Sequence, residues 1–209
     1  MVNVVIIGSG AAGLASAVWL CRNGVAPEEI LLVTEGLTMG TSINTGSDKQ
    51  TYYRTSQTVG PAGEGDSPRA MAETLYRGGS MHGDIALVEA SLSTRAFFHL
   101  VELGVPFPAD EYGQYVGYRT DHDPVGRGSS VGPYTSRIMC ESLIREVRRL
   151  NVPILERTLA VRILTDERNI HPDVDGVDRD GDDRVDGVSG SGSGRSRRVT
   201  GVVLFEIVR

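Results

Sequence analysis

The chain opens on a nearly unbroken apolar run, Val2-Asn3-Val4-Val5-Ile6-Ile7, that stops at a glycine. Such a run predicts a fully buried strand of a parallel sheet. From Ala11 the apolar positions recur with helical spacing as far as Arg22, and Asn23-Gly24 supplies a stop. Ile30 to Thr34 is a second buried strand. Strand, helix and strand in so short a span make a βαβ unit, whose crossover is right-handed.

Beyond this unit the rhythm breaks. Residues 36–66 are rich in Gly, Ser and Thr without sustained periodicity, which predicts a long irregular loop. Ser67 caps a helix running to about Tyr76. A longer helix begins at Asp84, with Ile85, Val88, Leu92, Phe97, Leu100 and Leu103 at helical spacing, and ends at Gly104. Val105 to Pro133 reads as a second loop. A helix follows Tyr134, with Ile138, Leu143, Val147 and Leu150 on one side and Arg145, Arg148 and Arg149 near its C-terminal end. Ile154-Leu155, Leu159 to Leu164 and Thr200 to Val208 read as strands. The pattern predicts an α/β fold with a Rossmann-like parallel sheet, incomplete at its C-terminal side. Residues 1–165 form its N-terminal part and 199–209 its final strand.

Residues 166–198 stand apart. Asp173, Asp175, Asp178, Asp180, Asp182, Asp183 and Asp186 crowd a Gly-rich stretch, followed by Ser-Gly repeats and Arg195, Arg197 and Arg198. With little apolar surface to bury, this stretch is expected to be an acidic flexible insertion or hairpin tip. Aligning Gly181 with the glycine of a calcium loop puts Gly176 first and Gly187 last, and aligning Gly176 puts His171 first. Neither register supplies the ligands.

Composition narrows the function. A net charge of −6 argues against a nucleic-acid surface. No apolar run reaches the ~18 residues of a spanning helix. The N-terminus lacks the basic start of a signal peptide, so a cytoplasmic location is expected. Cys21 and Cys140 make neither a disulfide framework nor a metal cluster and are expected as buried free thiols. No metal site is expected.

The chemistry sits in Gly8-Ser9-Gly10-Ala11-Ala12-Gly13, a G-x-G-x-x-G between the first strand and the first helix. Gly8 permits the turn, Gly10 lets backbone approach a diphosphate, and Gly13 lets the helix pack closely. The helix start then offers free N–H groups and a positive dipole end to phosphates. Glu35 ends the second strand about 20 residues on, where a carboxylate takes ribose hydroxyls and repels a 2′-phosphate. These features fit FAD and NAD alike. The N-terminal position of the motif and the loop Gly40-Thr41-Ser42-Ile43-Asn44-Thr45-Gly46-Ser47-Asp48 favour FAD, because an NAD domain would soon repeat a strand and helix.

These motifs, together with Glu102-Leu103-Gly104-Val105-Pro106-Phe107, Ile154-Leu155-Glu156 and Val161-Arg162-Ile163-Leu164, resemble the FAD-binding domain of the succinate dehydrogenase/fumarate reductase flavoprotein family. The resemblance spans nearly all of the chain outside 166–198. It implies that Gly8, Gly10, Ala11, Ala12 and Gly13 hold the FAD diphosphate and Glu35 the adenosine ribose. Thr41, Ser42, Gly46 and Ser47 match the loop passing diphosphate and flavin, and Ala160 a position whose backbone meets the adenine. Members of membrane complexes carry a histidine that links covalently to FAD. Thr41 and Ser42 occupy that neighbourhood, which implies non-covalent FAD. The family's capping domain, with its catalytic and substrate-binding groups, comes after the strand that ends this sequence. No catalytic residue is therefore assigned here. The expected partners are a small-molecule substrate and an electron-transfer partner or a missing C-terminal half. The alternatives are an NAD-binding module and a truncated, non-catalytic fragment.

Three further groups carry weaker signals. Asp121-His122-Asp123 reads as a solvated turn rather than a metal site, because adjacent ligands cannot all face one ion. His82 and His122 both fall in expected loops. Tyr52, Tyr53 and Arg54 read as packing beneath a loop, with contact to flavin or a substrate carboxylate as the other possibility. No nucleophile elbow and no Cys-x-x-Cys is present, which leaves hydrolase and disulfide-reductase chemistry without support.

Overall fold

A computed structural model describes residues 1–46, 50–56, 65–79, 81–115, 117–121, 123–169 and 195–207. Ser47, His122 and the aspartates of the acidic stretch lie outside them. The described chain divides into Met1–Thr158 and Leu159–Arg209.

The first unit is built on β1 (Val4–Ile7), α1 (Ala11–Arg22) and β2 (Ile30–Val33). β1 and β2 are parallel, with Val4 opposite Ile30 and Ile7 opposite Val33. β6 (Ile154–Leu155) joins the other side of β2, also parallel, giving the order β1-β2-β6. Between β2 and β6 come α2 (Thr41–Asn44), β3 (Tyr52–Tyr53), α3 (Pro68–Arg77), α4 (Gly83–Glu102), β4 (Tyr118–Thr120), β5 (Asp123–Ser129) and α5 (Thr135–Arg149). The core joins Leu14, Ala17 and Val18 of α1 to Ile30 and Leu32 of β2, Phe97 of α4 and Leu143 and Val147 of α5. β1 is not fully buried: Val4 and Ile6 are half-buried, while Val5 and Ile7 are 37% and 53% exposed. The reason is topological. Helices pack on one face of a strand that has a neighbour on one edge only, so a continuous apolar run shows the alternation of a half-covered sheet.

Both expected loops contain structure. Residues 36–66 hold α2 and β3, and residues 105–133 hold β4 and β5. β3, β5 and β4 make an antiparallel sheet with β5 central. Elements this short leave too few alternations to register as periodicity. The capping signals were stronger. Ser67 accepts the Ala70 N–H at 3.1 Å, and Pro68 opens α3. α4 turns a different face inward than its large residues suggest. Ala86, Ala90, Ser93 and Phe97 are buried, whereas Ile85, Val88 and Leu92 are exposed. The small residues let α4 approach α3, where Met71 and Ala72 meet Ala86 and Ala90. His82 lies at the N-cap of α4 and accepts the Asp84 N–H through Nδ1 at 3.3 Å. Cys140 is buried, but Cys21 is only half-buried.

The second unit is the two-stranded sheet of β7 (Thr158–Asn169, entering from the first unit) and β8 (Arg195–Glu206). The ladder takes in residues at both ends of 166–198. β8 pairs with β7 rather than joining β1-β2-β6. Val161 and Ile163 of β7 and Val199 and Phe205 of β8 are exposed.

Candidate functional site

The turn between β1 and α1 has the geometry that the glycine spacing requires. Gly8 has φ +97°, a left-handed conformation costly for any residue with a Cβ. Its N–H donates to Val33 O at 2.8 Å, which locks the turn to β2. A methyl group on Gly13 would sit 2.0 Å from Gly8 O, so only glycine lets α1 start against the turn. Gly10 differs: a methyl there would touch only Ser42 Oγ, at 3.5 Å. The turn therefore has room for a methyl group at Gly10, as it has not at Gly13.

The N-terminus of α1 keeps donors to offer. Gly10 is the N-cap and supplies no side-chain cap. The Ala11 N–H donates to Ser42 Oγ at 3.3 Å, and the Leu14 N–H to Gly10 O at 3.0 Å. The N–H groups of Ala12 and Gly13 have no partner among the described residues. Ala12 is exposed, so the turn is open and its own side chains do not block it. Free N–H groups at the positive end of a helix dipole, beside a position cleared of side chain, fit a diphosphate.

The second loop comes back to this turn through small residues. A methyl on Gly40 would lie 3.6 Å from Gly10 Cα, and Ser42 is half-buried with its hydroxyl on Ala11. Thr41 is exposed at the first position of α2, and its carbonyl accepts the N–H and hydroxyl of Thr45 at 2.9 and 2.6 Å. Gly46 packs on the start of α5 instead, where a methyl would meet the Tyr134 ring at 3.1 Å. Gln50 ties the same loop to α5. It donates to Ser136 Oγ at 2.8 Å and accepts the Ser136 N–H at 3.0 Å. Ala160 is half-buried on β7 and belongs to the second unit.

Glu35 follows β2 with its side chain exposed and carrying no bond to another described residue. Its backbone is fixed, since Glu35 O accepts the Arg157 N–H at 3.1 Å. Its neighbours are fixed more firmly. Ser9 Oγ and Thr34 Oγ1 are 2.8 Å apart, both residues are buried, and Ser9 Oγ donates to Gly36 O at 3.1 Å. The Gly36 N–H donates back to Thr34 Oγ1 at 3.3 Å. Ser9 escaped the sequence reading because the motif leaves its second position open, and Thr34 because it looks like the polar end of a strand.

A second polar cluster lies between α3 and β5. Arg127, 2% exposed at its side chain, bonds Asp66 through two nitrogens at 2.8 Å each and Asp123 Oδ1 at 2.8 Å. It also donates to Thr74 Oγ1 at 3.1 Å. Asp123 is therefore buried in an ion pair and is not part of a solvated turn, although Asp121 is exposed. Burial pushes the Asp66 carboxyl up. Hydrogen bonds from Arg127 and from the Ser56 and Ser67 N–H groups outweigh it and hold the carboxyl below its usual range. The cluster borders a cavity of about 720 Å³ lined by Tyr53, Met71, Leu75 and Arg77 as well. Tyr52 and Arg54 pack inward: Tyr52 meets Phe97 and Phe107, and the Arg54 guanidinium lies 4.6 Å over the Phe97 ring. Burial pushes the Tyr52 phenol up to about 12, with Glu89 adding to the effect. Among the described residues no group of His, Cys, Asp and Glu could hold a metal ion, and no helix is long and apolar enough to cross a membrane.

Against this geometry, the sequence matches the family model described as "FAD binding domain" over residues 3–205. The chain belongs to the FAD binding domain family. That membership decides between the two dinucleotides that the glycines alone left open. No curated protein matches the chain. Among solved structures it is similar to Sdh1 of Mycobacterium smegmatis in complex with UQ1, with TM-score 0.65 and 19% identity. FrdA of Escherichia coli quinol fumarate reductase gives 0.65 and 16%. A 3-ketosteroid-delta4-(5alpha)-dehydrogenase of Rhodococcus jostii, in complex with 4-androstene-3,17-dione, gives 0.58 and 19%. The matches cover 78%, 79% and 78% of this chain but only 29%, 27% and 39% of those proteins. At such identities the likeness is one of fold. The chain spans less than a third of the length of the first two.

Proposed function

We propose that this domain is the FAD-binding part of a flavin-dependent oxidoreductase of the fumarate reductase/succinate dehydrogenase type, acting on a small organic substrate. The observation that carries the reading is the open turn at α1, where the N–H groups of Ala12 and Gly13 have no partner among the described residues and a methyl on Gly10 would meet nothing closer than 3.5 Å. Gly8, Gly10, Ala11, Ala12 and Gly13 take the diphosphate, with Ser42 flanking it at Ala11. Glu35 takes the adenosine ribose through its exposed carboxylate. Thr41, Gly46, Ser47 and Ala160 complete the cofactor contacts we assign. FAD, when bound, supplies hydride chemistry at its flavin ring, and the protein supplies position and electrostatics.

FAD is held non-covalently in this reading, since Thr41 and Ser42 offer hydroxyls where a covalent link would call for an imidazole. Substrate recognition and proton delivery are assigned to no residue of this chain. The partners we assign are a small-molecule substrate and either an electron-transfer partner or a further polypeptide segment. We place the domain in the cytoplasm, in keeping with its two free thiols. The test is the visible spectrum of the purified chain. Flavin absorption that leaves with the supernatant on acid precipitation supports non-covalent FAD. Colour retained in the pellet overturns the non-covalent assignment, and a folded protein that cannot be loaded with flavin overturns the reading itself.

A further inference from the structure

We infer that Ser9 and Thr34 are positioning residues that set the distance between the diphosphate turn and the ribose carboxylate. The inference rests on the cofactor reading above. The two halves of the adenosine diphosphate site come from different loops. Ser9 lies inside the glycine turn, between Gly8 and Gly10, and Thr34 and Gly36 flank Glu35 on either side. One ring of hydrogen bonds joins them. The Gly36 N–H donates to Thr34 Oγ1 at 3.3 Å, the Ser9 and Thr34 hydroxyls share a bond at 2.8 Å, and Gly36 O lies 3.1 Å from Ser9 Oγ and 3.3 Å from Thr34 Oγ1. Whichever hydroxyl donates in the shared bond, the other can donate to Gly36 O, so both protons are used.

Burial makes the ring stiff. Ser9 is 5% and Thr34 7% exposed, so water does not readily replace a lost partner. The surrounding backbone is pinned as well. Gly8 N–H donates to Val33 O at 2.8 Å, Thr34 N–H to Leu155 O at 2.9 Å, and Thr158 N–H to Thr34 O at 3.1 Å. The Glu35 side chain is exposed, with no bond to another described residue, on a backbone fixed on both sides. A carboxylate must hold a ribose while the turn holds the diphosphate of the same molecule. Any play between the loops therefore costs affinity, even though neither hydroxyl need touch the ligand.

The experiment measures FAD and ADP dissociation constants for the full chain and for Thr34→Val, Thr34→Ser, Glu35→Gln and the Thr34→Val/Glu35→Gln double variant. Thr34→Val keeps the shape and deletes the hydroxyl. It should weaken FAD and ADP by about fivefold to tenfold, the size of one lost hydrogen bond. Thr34→Ser should restore wild-type binding. Because Thr34 acts through Glu35, the double variant should bind about as weakly as Glu35→Gln alone. A purely structural role would give additive losses. Should Thr34→Val fail to fold, Ser9→Ala opens the same ring from the other loop and enters the same cycle. Unchanged affinity in the hydroxyl-deleted variant, no rescue by serine, or additive losses would overturn the inference while leaving the cofactor reading intact. A folded wild-type chain that binds neither FAD nor ADP overturns both.

Discussion

At the scale of single residues, the three motif glycines answer to different demands. Gly8 is required by its φ of +97° and Gly13 by the carbonyl of Gly8, so both serve the fold. Gly10 answers to neither demand, because a methyl there meets nothing closer than 3.5 Å, and we assign it to the ligand. Gly13→Ala should therefore destabilise the chain by about 1–3 kcal/mol, as overpacking against rigid backbone does. Thermal unfolding without flavin checks this, and a midpoint equal to wild type would contradict it. The motif pattern made all three glycines legible in the sequence. It could not say which of them faced the protein and which the cofactor, since that depends on Ser42 and Gly8 O coming near. Ser9 and Thr34 were illegible for a related reason. A hydroxyl ring between loops has no sequence period.

At the scale of elements, the buried cluster around Arg127 joins Asp66, just before α3, to β5 and its own Asp123. Removing the cation would leave two buried carboxylates with backbone N–H partners but no countercharge. Arg127→Leu should cost about 3–5 kcal/mol, read as a shift in the urea midpoint. The same pairing predicts a pH response. The Asp66 carboxyl lies below its ordinary value in the folded chain, so its contribution is present above the unfolded pKa of about 3.9 and is lost as pH falls through the folded value. Asp66→Asn should flatten the acid limb of the stability profile, and an unchanged limb would exclude this carboxylate as its source. The cluster was not legible in the sequence, because Asp66 lies 61 residues from Arg127 and Asp123 sits in what reads as a polar turn. Helices were more legible than short strands. α3 carries a side-chain cap, and α1 and α5 sustain their periods over 12 and 15 residues, whereas β3 has two residues and β4 three. α4 shows the limit of reading periodicity by size: its inward face is made of alanine and serine, and Ile85, Val88 and Leu92 face solvent.

At the scale of the whole molecule, the described chain comprises a unit built on a three-stranded parallel sheet and a second unit made of a two-stranded ladder. The parallel sheet has three strands, with β1 at an edge and Val5 and Ile7 exposed. The acidic stretch between the ladder strands has few apolar residues in its sequence. Replacing residues 171–194 by a short turn should leave flavin affinity unchanged and change the unfolding free energy by no more than about 0.5 kcal/mol, the size of an ordinary surface change. A large loss of stability would assign that stretch a structural role.

The account turns on a diphosphate held by the first helix. Its most direct test is a titration of FAD against the purified chain, followed by flavin fluorescence, beside the same titration of Gly10→Val. Saturable binding by the wild type, abolished in a variant that melts like the wild type without flavin, is the predicted result. Equal binding by both proteins would contradict it, for then the cofactor does not occupy the space that Gly10 keeps clear.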